Sequence, residues 1–240
     1  NMGTVLNELG HLNEAIKSYK QAISIKPDYV EAHYNMGTTF NQQHKFGAAI
    51  EDYSAAILIK PDYATAYYNL GNSLEKLNKQ QDAITAYKTA ITLKPDYAEA
   101  YHRIGNALEN WGKVDEAIAA YGEAISIKPD YAEVYNDLGI ALQSKGCLEK
   151  AIEAYNAAFT INPDFFSAFS LAEHLKAKTC NWQAHGYINI DDYIIAGLKN
   201  PMAYPIISFQ NLHTQDSPRN QLLLAKIFSS AITEIVKPYL

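Results

Sequence analysis

Between residues 30 and 63 the apolar positions fall into two helical stripes with a polar break between them. Ala32, His33, Met36, Gly37 and Phe40 recur at the helical spacing of about 3.6 residues, which predicts the inward face of a first helix, helix A. Residues 41–46 read as a polar turn. Ala49, Ile50, Tyr53, Ala56 and Ile57 then form the inward stripe of a second helix, helix B. Pro61 stops helix B, because proline lacks an amide hydrogen and drives the residue before it out of the α region. Asp62 is placed to cap the helix that follows.

This unit repeats. Lys26-Pro27-Asp28-Tyr29 returns at Lys60-Pro61-Asp62-Tyr63, Lys94-Pro95-Asp96-Tyr97 and Lys128-Pro129-Asp130-Tyr131, and in altered form at Asn162-Pro163-Asp164-Phe165, the prolines standing 34 residues apart. A period of that length means stacked helical hairpins, since one hairpin cannot bury its apolar face without a neighbour. Small residues recur where two helices must approach: Gly37, Gly71, Gly105 and Gly139 in helix A, and Ala49, Ala83, Ala117 and Ala151 in helix B. A helical glycine costs about 1 kcal/mol against alanine, so its return at one register marks close backbone approach. Tyr19, Tyr53, Tyr87, Tyr121 and Tyr155 in helix B, with Tyr67, Tyr101 and Tyr135 in helix A, are read as packing residues rather than an aromatic ligand cage.

Charge alters the list of partners. Residues 1–165 hold 14 Lys+Arg against 21 Asp+Glu, and residues 166–240 hold 6 against 5, so the repeats are acidic and a poor match for a phosphate backbone. Cys147 and Cys180 form no closely spaced framework, which favours free thiols and a reducing, cytoplasmic setting. There is no apolar run long enough to cross a bilayer. The chain starts at Asn1 in mid-repeat and reads as a fragment.

Leu70-Gly71, Leu74, Ala83, Tyr87, Ala90 and Pro95 together resemble the tetratricopeptide repeat. The resemblance covers a partial unit at 1–29 and full units at 30–63, 64–97, 98–131 and 132–165. It implies an all-α, right-handed superhelical solenoid over 1–165, with a mostly helical extension over 166–240 that begins with a closing helix and starts a C-terminal module. In that family helices A line a concave groove that receives an extended peptide or a partner helix. The groove face would carry Tyr34, Asn35, Thr38 and Asn41, then Tyr68, Asn69, Asn72 and Glu75, then His102, Arg103, Asn106 and Glu109, and finally Asn136, Asp137, Ile140 and Gln143. A row of asparagines offers donors and acceptors to a partner's backbone whatever its side chains. A plain solvated face would look the same at this level.

After Phe165 the period fails: Glu173 stands where glycine is expected, and no helix B follows. The composition predicts a helix near 191–198, a strand at Ile206-Ile207-Ser208-Phe209, and a helix started by Asp216-Ser217-Pro218 and stopped by Pro238. Phe165, Phe166, Phe169, Leu171 and Trp182 are too apolar for a linker, so the tail is expected to dock, with Trp182 covering the last repeat. The seven histidines have no metal-ligand spacing, and no phosphate loop or nucleophile motif occurs, so neither cofactor nor metal is expected.

Pro163-Asp164-Phe165, Cys180-Asn181-Trp182, residues 205–209 and residues 216–225 resemble the junction between repeats and catalytic region in O-GlcNAc transferase and SPINDLY-like protein glycosyltransferases. That resemblance implies a substrate-reading front end, inactive by itself because about 100–150 residues are needed for a sugar-donor domain. Three readings stand side by side: a module binding extended polypeptide as part of such an enzyme, a stand-alone adaptor, and a scaffold self-associating through its terminal repeats. Nucleic acid and membrane are not expected partners.

Overall fold

In a computed structural model, residues 2–178 are described, and among them every regular element is a helix. Two compact units divide the chain, residues 1–146 and residues 147–240. The expectations for Cys180, Trp182, the 191–198 helix, the 206–209 strand and the helix from Pro218 lie outside the described residues.

The first unit holds nine described helices: α1 (Met2–Glu8), α2 (Leu12–Ile25), α3 (Val30–Gln42), α4 (Phe46–Ile59), α5 (Ala64–Lys76), α6 (Gln80–Leu93), α7 (Ala98–Asn110), α8 (Val114–Ile127) and α9 (Ala132–Ser144). Each packs against the next in order, and α3, α5, α7 and α9 also touch one another in succession. Helices A therefore lie side by side along one face of this unit, with helices B behind them. The break read at 41–46 is shorter in space, because α3 runs through Gln42 and α4 begins at Phe46.

The recurring glycines and tyrosines explain each other. An added Cβ at Gly37 would sit 2.9 Å from the Tyr53 ring, and one at Gly71 would sit 2.5 Å from the Tyr87 ring. Tyr53, Tyr87 and Tyr121 are wholly buried, each lying against a glycine of its partner helix. Ile84, Ile104, Leu108, Val134 and the helix B alanines complete the core between hairpins.

Each Lys-Pro-Asp-Tyr segment ends a helix B and begins a helix A. Lys60 is the C-cap of α4 and has left the helical backbone conformation, as the following proline requires. The sequence places the cap on Asp62, but the structure corrects this: Tyr63 is the N-cap, and no side chain caps the helix. Pro61 and Asp62 instead occupy the turn closed by the Tyr63 amide donating to the Lys60 carbonyl at 3.3 Å. The lysine also lies over the tyrosine of its own segment, 4.5 Å from the ring centroid for Lys94 over Tyr97 and Lys128 over Tyr131. Helix A ends in a left-handed residue, Gly10, His44, Asn78, Gly112 or Gly146, which turns the chain back.

In the second unit α10 (Leu148–Ile161) packs against α11 (Phe166–Lys178). Phe159 meets Phe166 and Phe169 with ring centroids 6.1 and 5.0 Å away, and Ala168, Ala172 and Leu175 are buried.

Candidate functional site

Because helices A touch in succession, residues at one register form rows across the first unit. Tyr34, Tyr68, His102 and Asn136 make one row, and Asn35, Asn69, Arg103 and Asp137 the next. These two rows are joined by rungs between neighbouring helices. Asn69 Nδ2 donates to the Tyr34 hydroxyl at 2.8 Å, the Arg103 guanidinium faces the Tyr68 hydroxyl, and His102 Nε2 donates to Asp137 Oδ2 at 2.7 Å. The partners change from phenol–amide to phenol–guanidinium to imidazole–carboxylate, yet each rung spans 35 residues. A ring from the next turn packs on each first-row ring: Tyr63 on Tyr34 and Tyr97 on Tyr68, both at 4.9 Å, and Tyr131 on His102 at 5.2 Å.

Thr38, Asn72 and Asn106 form a third row, with Asn41, Glu75 and Glu109 one turn further on. Here the partner comes from behind. The Tyr87 hydroxyl shares its one proton between Asn72 Oδ1 at 2.8 Å and Glu75 Oε2 at 2.9 Å; Tyr121 does the same between Asn106 and Glu109, both at 2.8 Å. Tyr53 donates to the Thr38 hydroxyl at 3.3 Å. A phenol whose ring lies in the core thus fixes two polar side chains on the open face.

The electrostatics follow from these contacts. Burial, then the Glu75 carboxylate, pushes the Tyr87 phenol far above its ordinary value, and burial with the Glu109 carboxylate does the same to Tyr121. Tyr97 is pushed up to about 12, chiefly by burial. For Arg103 burial alone would lower the pKa, but the Tyr68 hydroxyl and the field of Glu75 outweigh it and raise it.

Among the predicted groove residues, Tyr34, Asn35, Thr38, Tyr68, Asn69, Asn72, Arg103, Asn106, Asn136 and Asp137 are half-buried. His102 is the exception: read from sequence as part of an open face, it is 9% exposed because the Tyr131 ring and the Asp137 carboxylate enclose it. The helix B hydroxyls were missed. Their signal was present, since five buried registers carry tyrosine where phenylalanine would pack as well, and a buried phenol oxygen needs a partner. No described helix is long and apolar enough to cross a membrane.

Comparison with known proteins agrees with the repeat fold. A family model for the TPR repeat matches residues 3–43, 37–78, 76–110 and 111–146, and a second for the tetratricopeptide repeat matches 132–165. A crystal structure of MamA is 30% identical, with a TM-score of 0.66, covering 68% of this chain and 96% of that one. YrrB, described as a TPR protein with an unusual peptide-binding site, is 25% identical with a TM-score of 0.62, covering 74% and 89%. PilF of Pseudomonas aeruginosa shares the fold at 17% identity, with a TM-score of 0.68 and 94% of each chain covered. No curated protein sequence matches the chain.

Proposed function

Because the chain belongs to the tetratricopeptide-repeat family, a family of protein-interaction modules, we propose that the helix A face of residues 30–146 binds an extended polypeptide. The observation that carries this is the fixing of polar groups on that face by hydrogen bonds from the core, which leaves amides oriented for a partner at little entropic cost. Four helices about 10 Å apart span about 30 Å, or roughly nine residues of extended chain. The likeness to YrrB supports a peptide as the occupant. Selection from a library of random peptides of about ten residues, followed by titration against Asn35→Ala, Asn69→Ala, Asn72→Ala and Asn106→Ala combined, tests it. Binding should fall by an order of magnitude or more while helical circular dichroism persists, since each net hydrogen bond contributes about 0.5–1.5 kcal/mol. Equal binding by the variant sinks the proposal.

The finer reading, a substrate-presenting module of a protein glycosyltransferase, rests on tail residues outside the described part of the chain. It calls for alternating β/α domains encoded after Leu240. The setting we infer is cytoplasmic, from the two widely separated cysteines.

A further inference from the structure

The third and fourth rows show which groups are already committed and which are left for a partner. Asn72 and Asn106 use Oδ1, and Glu75 and Glu109 use Oε2, to accept from Tyr87 and Tyr121. The Nδ2 of each asparagine and the Oε1 of each glutamate make no hydrogen bond among the described residues. Each helix thus offers one amide donor and one carboxylate acceptor side by side, both held by the same buried hydroxyl.

Resting on the groove reading above, we propose that these two pairs are equivalent clamps that select an extended peptide carrying Lys or Arg side chains three residues apart. The amide takes a backbone carbonyl, and the carboxylate takes the cationic side chain in a charge-assisted bond. The spacing follows from the scaffold. Asn72 with Glu75 on α5 and Asn106 with Glu109 on α7 occupy the same register of helices in direct contact. A helix-to-helix step of about 8–10 Å equals about three residues of extended chain.

Charge on this face points the same way. Glu75, Glu109 and Asp137 stand against one guanidinium, Arg103, whose charge is felt by Glu75, while Asp137 is bonded to His102. The flanking registers are neutral, with Thr38 and Asn41 on α3 and Ile140 and Gln143 on α9, so the demand for a cation is confined to the two central helices. An acidic segment in the same place would bring its carboxylates against Glu75 and Glu109.

The test uses the full chain and labelled peptides of the form Ser-Lys-Ser-Thr-Lys-Ser embedded in neutral flanks. Three comparison peptides carry glutamine, acetyl-lysine or glutamate in place of both lysines, and a fourth has adjacent lysines. The lysine peptide should bind roughly tenfold or more tighter than the glutamine and acetyl-lysine forms, and tighter than the adjacent-lysine form. That advantage should vanish in Glu75→Gln with Glu109→Gln, which keeps an acceptor for each tyrosine, and should shrink in high salt. Equal affinity for lysine and glutamine peptides, preference for glutamate, or an unchanged advantage in the double variant overturns the proposal. A glutamine peptide bound as well as the lysine form, and lost with Asn72→Ala and Asn106→Ala, would leave the groove reading intact. If no peptide binds, both fall.

Discussion

Gly71→Ala tests whether the hairpins are held apart by the width of one tyrosine ring. The new Cβ would stand 2.5, 2.7 and 2.9 Å from Cε1, Cδ1 and Cζ of Tyr87, where carbon atoms ordinarily rest about 3.5–4 Å apart. The ring cannot easily retreat. It is wholly buried, the Tyr68 ring lies 5.8 Å from it, and its hydroxyl is tied to Asn72 and Glu75. Overpacking of this kind costs about 1–3 kcal/mol, and displacing the hydroxyl forfeits about 1 kcal/mol more per bond. Helix propensity returns about 1 kcal/mol, so the net loss should be about 2–4 kcal/mol. Gly122→Ala provides the control: it lies within α8, and a Cβ there meets nothing within 4 Å, so propensity alone acts and the protein should gain up to about 1 kcal/mol. Urea unfolding followed by circular dichroism reads both. The reasoning fails if the two alanines shift the transition in the same direction.

Two further outcomes follow from the buried polar groups. Tyr87 and Tyr121 have folded-state pKa values raised above the ordinary value of about 10, so their contribution is complete below pH ~10 and is lost as pH rises beyond it, by about 1.4 kcal/mol per unit for each phenol. Alkaline titration should show phenolate absorbance appearing late and together with loss of helix, and a midpoint moved upward in Tyr87→Phe with Tyr121→Phe; phenolates forming at ordinary pH in an intact fold would refute this. Half-buried His33 and buried Asp52 stand at registers that hold tyrosine and alanine in the next three repeats, and burial raises the Asp52 pKa, so holding its carboxylate there costs stability. His33→Tyr with Asp52→Ala should therefore stabilise by about 1 kcal/mol at neutral pH, with the gain fading as pH falls through the raised carboxyl pKa, and a loss of similar size in urea would contradict the argument.

Packing was legible in the sequence because the period displays it several times over. Gly71 and Tyr87 have counterparts 34 residues away on either side, and a glycine that returns inside a helix at the same register, against its propensity, marks a place where a neighbour leaves no room for a side chain. The cap was misread because Asp62 is the right residue type but one position early, and Pro61 commits it to the turn. The rungs were harder to see. Tyr34 with Asn69, Tyr68 with Arg103 and His102 with Asp137 change their chemistry from one rung to the next, and the offset of 35 places each pair one step out of register with the repeat. Aligning the units on themselves compares position with position and passes over a contact that joins one position to its neighbour's successor.

That offset bears on what the face can do. The first two rows bind to each other and join successive helices, so Asn69, Arg103 and Asp137 have less to give a ligand than their exposure suggests. The other rows are held from the core, by the hydroxyl of a tyrosine whose ring sets the spacing of the hairpin. Core and candidate site are thus one construction: Gly71 positions the Tyr87 ring, the ring positions its hydroxyl, and the hydroxyl orients Asn72 and Glu75. A change that widens a hairpin by a few tenths of an ångström should therefore alter peptide affinity before it unfolds the array, since hydrogen bonds weaken steeply with misalignment while apolar burial changes little.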